Sequence, residues 1–105
     1  MNEINNISIK AVEQKGITIL KILIRHPMET GQRKDEDGKL IPINFINKIT
    51  ITTKNITIFT ANLGPSIAKD PNLFIKTKAL KKGDVFNIVW QTSSGGEKKQ
   101  QGLVE

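Results

Sequence analysis

The sequence predicts an all-β fold, a sandwich of about seven short antiparallel strands forming one domain over residues 1–105. Three observations predict it. The apolar residues are mostly β-branched Ile and Val, which suit a pleated, half-buried surface better than a helix. Turn-forming clusters of Gly, Pro, Asn, Asp and Ser recur about every 8 to 12 residues, the spacing of short strands. No segment carries a convincing helical period. At 105 residues the chain can build one core but not two, since a domain takes roughly 100 to 150 residues.

The elements follow in order. Ile7, Ile9 and Ala11 alternate with polar residues in a first strand that ends near Glu13 to Gly16. A second runs from Ile17 to His26, and its ILKILI centre is nearly continuous, as in a strand covered on both faces. After a long loop, Ile43, Phe45, Ile49 and Ile51 share one parity of a third strand. Asn47 interrupts that face and Ile46 opposes it, a conflict that a β-bulge near Ile46 resolves.

Lys54-Asn55 reads as a two-residue hairpin turn, with Ile56 to Ala61 returning. Asn62 to Asn72 contains Gly64, Pro65 and Pro71 and forms a surface loop. Leu73 to Lys78 resumes the extended pattern, and Lys81 to Asp84 turns the chain. Phe86, Ile88 and Trp90 then line one face of the next strand, with Trp90 assigned to the core. Ser93 to Gly96 turns again into a polar final strand at a sheet edge, ending in Leu103 and Val104.

Composition excludes several chemistries. Without cysteine the chain can form no disulfide, thiolate metal site or cysteine nucleophile. His26 is the only imidazole and no serine lies in a Gly-x-Ser-x-Gly setting, so a nucleophilic triad is unsupported. One His near Glu29, Asp35, Glu36 and Asp37 is too thin a set for zinc, and the DEDG run lacks the ligand spacing of a calcium loop. No cofactor site is predicted. Sixteen basic against ten acidic residues give a charge of +6, suited to an acidic partner or anionic ligand. Four Phe, one Trp and no Tyr make a poor stacking platform for nucleic acid. A free-standing anion- or nucleic-acid-binding domain is nevertheless the alternative that the charge supports. No stretch approaches the roughly 18 apolar residues of a membrane span. MNEINNISIK shows no basic segment followed by an apolar run, so export would depend on another protein.

The segment His26 to Pro42 is longer than ordinary connections and concentrates Pro, Met and Arg, so it reads as a binding element. Pro27 holds His26 extended and stops the strand, making His26 a hydrogen-bonded loop anchor. Met28 offers an adaptable apolar knob. Thr30-Gly31 permits a sharp reversal, after which Arg33 and Lys34 can meet Glu29 or Asp35. Met28, Arg33 and Phe45 have the side-chain types that interface centres favour. The candidate partner-binding residues are therefore His26, Pro27, Met28, Glu29, Thr30, Gly31, Arg33 and Phe45.

The words HPMETGQRKD (His26 to Asp35), Gly38-Lys39 with Ile41-Pro42, Phe45-Ile46, Leu63-Gly64-Pro65, Pro71 with Leu73, and Lys82-Gly83-Asp84 followed by Trp90 resemble the SoxZ family of bacterial thiosulfate oxidation. The resemblance runs through nearly the entire chain in order. It departs at Asp70-Pro71-Asn72, where Asn-Pro-Tyr is commoner, and at Lys54-Asn55, where Asn-Gly is usual. The resemblance implies an immunoglobulin-like sandwich and a non-catalytic half of the SoxYZ carrier. In that carrier the SoxY subunit presents a cysteine on a flexible C-terminal arm, and sulfur intermediates ride on it between the Sox enzymes. It further implies a periplasmic location reached by co-export with SoxY and transient docking of Sox enzymes; self-association of the isolated chain through its vacant surface is left open by the sequence.

Overall fold

A computed structural model describes residues 7–105; most of the N-terminal segment considered for export lies outside them. Seven antiparallel strands form two facing sheets: β1 (Ile7–Gln14), β2 (Ile17–Ile24), β3 (Ile46–Thr53), β4 (Ile56–Asn62), β5 (Asn72–Thr77), β6 (Val85–Thr92) and β7 (Glu97–Leu103). The first sheet has the order β1-β2-β5 and the second β4-β3-β6-β7. The architecture is an immunoglobulin-like β-sandwich, as the sequence predicts.

Two hairpins owe their tightness to positive φ at both central residues, the requirement of a type I′ turn. Lys15 and Gly16 sit at 54° and 85°, and Lys54 and Asn55 at 51° and 64°. The bulge expected near Ile46 falls at Asn47, where the register between β3 and β6 slips by one residue. That slip turns Ile46 and Ile49 to the same side, and both are fully buried. Ile46 therefore joins the inward face, and Ile43, assigned to it from parity, lies before the strand and is exposed.

Between the sheets, Leu20, Ile22 and Ile24 of β2 meet Ile49 and Ile51 of β3 and Phe86, Ile88 and Trp90 of β6 in one apolar cluster. Thr18 is the polar residue among them, its hydroxyl donating to the Leu80 carbonyl at 2.7 Å. Gly102 of β7 lies opposite Phe86, and a Cβ there would stand 2.5 Å from Phe86 Cζ, so the ring occupies the space a side chain would need. Glu105 crosses to the first sheet: its N–H donates to the Ala11 carbonyl, and its own carbonyl accepts from Glu13 N–H, both at 2.9 Å.

The second strand ends at Ile24, two residues before the predicted limit at His26. The reason is a change of partner. His26 N–H donates to Asp70 Oδ1 at 2.8 Å and its carbonyl accepts from Asp70 N–H at 2.9 Å, so its backbone is taken by the loop before β5 and not by β1.

Candidate functional site

The segment between β2 and β3 is a folded arm. Its legs pair at Glu29 with Asn44, through reciprocal backbone bonds of 2.7 and 3.0 Å, and again at Lys34 with Leu40. At the tip, Asp35 Oδ1 accepts from the N–H groups of Asp37 and Lys39 at 2.9 and 3.0 Å. The acidic DEDG run thus makes a turn around one carboxylate, closed by Gly38 at a φ of 81°.

The root is held by short-range and long-range bonds together. Met28 N–H donates to His26 Nδ1 at 3.0 Å, which requires the neutral imidazole with its proton on Nε2. Burial lowers the His26 pKa below its ordinary value, Lys98 adds to the effect, and Asp70 opposes it. Met28 occupies the left-handed region at a φ of 51° and turns its side chain into the core, where it is 5% exposed. Its Sδ accepts from Ile46 N–H at 3.3 Å, tying the arm to the first residue of β3. Within this chain, the apolar knob read from the sequence is a core residue.

Glu29 is buried beside it and takes a two-pronged contact from Arg33: Nε donates to Oε1 at 3.1 Å and Nη2 to Oε2 at 2.5 Å. The Arg33 hydrogen bond and charge hold the Glu29 carboxyl below its usual range against the opposing effect of burial. Pro27, Met28, Glu29, Thr30 and Arg33 line one open groove of about 500 Å³, joined by Lys69 from the loop before β5. The arm thus brings five candidates together. Gly31 makes the reversal at a φ of 86°, against Ile43. His26 anchors the root outside the groove lining, and Phe45 lies on the opposite leg, exchanging bonds with Ser93 through its backbone and packing against the core.

Lys69 escaped the sequence reading because it stands 36 residues from Arg33 (69 minus 33), in a loop with no charge pattern of its own. Asp70 escaped for the same reason, and nothing local marks it as the partner of His26. Chemically, the groove offers a cationic rim over a neutralised carboxylate and holds no activated nucleophile. Among the described residues no three His, Asp or Glu side chains come together as a metal site.

The family model described as "Sulphur oxidation protein SoxZ" matches residues 7–102. The chain belongs to the SoxZ family. SoxZ membership implies a role in sulfur oxidation, among the partners of the Sox system. No curated protein matches the chain significantly. Among solved structures, a superoxide reductase (neelaredoxin) variant from Ignicoccus hospitalis superposes with a TM-score of 0.61 over 96% of this chain and 81% of that one, at 17% identity. At that identity the likeness speaks for the sandwich alone. The resemblance read from HPMETGQRKD onward agrees with the SoxZ match.

Proposed function

We propose that this SoxZ chain is the non-catalytic scaffold of a SoxYZ sulfur carrier. It binds a SoxY subunit whose C-terminal cysteine carries the sulfur intermediates, and its arm contributes to the surface on which the Sox enzymes dock. The observation that carries this reading is a SoxZ match over nearly the whole of a chain without a single cysteine. Such a chain cannot hold a thiol-bound cargo, so the cargo must ride on a partner. The exposed Pro27, Thr30 and Arg33 of the arm, with Lys69 from the loop before β5, are the groove residues available for docking, while Met28 and Glu29 hold the arm in place. The carrier works in the periplasm, where this chain arrives by co-export with SoxY.

The test is co-purification with a SoxY subunit followed by intact mass of both chains after thiosulfate turnover. Added sulfur mass on the partner alone is the expected result. Failure to form a complex would defeat the reading and leave the +6 charge to a free-standing anion- or nucleic-acid-binding role, visible as tight DNA binding that collapses with added salt.

A further inference from the structure

β2 carries large apolar side chains on both faces. Leu20, Ile22 and Ile24 fill the core, whereas Ile17, Ile19 and Leu23 alternate with them and point away from the facing sheet. On β5, Phe74 pairs with Lys21 across the strands and is 59% exposed. The outer face of an antiparallel sandwich sheet is ordinarily polar. The four-stranded sheet is mixed there, with Thr50, Thr52, Thr60, Asn87 and Gln91 beside Val85, Val89 and Leu103. In the three-stranded sheet a near-continuous apolar strand is left with only one side covered.

The charges on that outer face have one sign. At the outward positions of β1, β2 and β5 the ionised residues are Lys10, Lys21 and Lys76, with no carboxylate among them. Lys21 and Lys76 stand 5.9 and 6.0 Å from the centre of the Phe74 ring. A shallow depression of about 410 Å³ crosses the three strands between Lys10 and Phe74.

We infer that the outer face of the β1-β2-β5 sheet is the seat of the cysteine-bearing subunit, which presents to it an apolar centre ringed by carboxylates. The inference rests on the carrier reading for the identity of that subunit. The surface chemistry selects the occupant. A second copy of this chain, related by a two-fold axis, would set lysines against lysines. A nucleic-acid backbone would satisfy the lysines and leave Ile19, Leu23 and Phe74 without apolar contact. An acidic protein surface answers both demands and is steered to the face by charge.

The test measures the affinity of the full chain for the cysteine-bearing subunit by calorimetry at several salt concentrations, with Phe74→Ser and Lys21→Glu as separate variants. Phe74→Ser is expected to weaken binding by about 30-fold or more, the loss typical of a central aromatic anchor. Lys21→Glu is expected to weaken it and to flatten its salt dependence. In the unaltered complex, the methyl resonances of Ile17, Ile19 and Leu23 are expected to shift, a readout that does not depend on how a variant folds. Wild-type binding with unmoved methyls and unchanged affinity in both variants would overturn the assignment of this face and leave the carrier reading intact. No wild-type binding at all would overturn the carrier reading and the inference with it. Binding to phosphatidylglycerol vesicles or duplex DNA in place of the subunit, lost in the same variants, would overturn the choice of occupant.

Discussion

Met28 N–H donates to the Nδ1 of His26, two residues before it, at 3.0 Å, while the backbone of His26 is bonded on both sides to Asp70. The imidazole accepts this bond only when neutral, so the root of the arm is coupled to proton concentration. Because burial lowers the folded-state pKa below 6.5, the stabilisation is complete above the unfolded value and is lost as pH falls from there through the folded value. An NMR titration should place the His26 pKa below 6.5. The thermal midpoint should fall between about pH 7 and about pH 5 more steeply than in His26→Ala. A pKa at or above the ordinary value would refute the coupling.

Met28→Ala should cost about 2 to 5 kcal/mol, as for other buried large-to-small changes, because it empties a core position and removes the acceptor of Ile46 N–H. Chemical denaturation measures this directly. A cost within about 0.5 kcal/mol of zero, the range of exposed positions, would place the side chain outside the core.

Arg33→Ala should raise the Glu29 pKa, since the buried carboxylate loses its hydrogen-bonded guanidinium while its desolvation remains. In the unaltered chain the depressed pKa adds stability that is complete above the ordinary carboxyl value and is lost as pH falls through the folded value. The variant should lose this contribution. Carboxyl-carbon NMR titration of the two proteins is the measurement, and an unmoved Glu29 would contradict the pairing.

Thr18→Val keeps the shape of the side chain and orphans the buried Leu80 carbonyl, which should cost about 1 to 3 kcal/mol in denaturant unfolding. Gly102→Ala should also destabilise, by about 1 to 3 kcal/mol, because the new methyl meets the Phe86 ring. Combining Gly102→Ala with Phe86→Leu should recover part of that loss if crowding is its cause.

Local signals were legible where one residue type answers one local demand. Asn55 tolerates the positive φ of its turn, Trp90 and its alternating neighbours mark a buried face, and the broken parity around Asn47 announces the bulge. The orientation of β2 was only partly legible, because ITILKILI carries large apolar residues on both faces and Lys21 alone marks the outward one. The Leu80 carbonyl, 62 residues away, satisfies the hydroxyl of Thr18 on the inward face. The binding character of the arm could be read from its composition, but its shape depends on Asp70 and Lys69 from a distant loop. The inward turn of Met28 depends on a backbone conformation that methionine does not advertise.

The crossing of Glu105 to the first strand sets a schedule for biosynthesis. Its bonds join residues 94 positions apart (105 minus 11), a contact order that slows folding. At about 5 to 20 residues per second, translation leaves the outer edge of Ala11 to Glu13 open for on the order of 5 to 20 s before its covering residue has been made. Through that interval β1 exposes unpaired backbone donors and acceptors to any extended chain nearby. A nascent molecule is therefore most open to mispairing at this edge until Glu105, beyond β7, has been made and closes it.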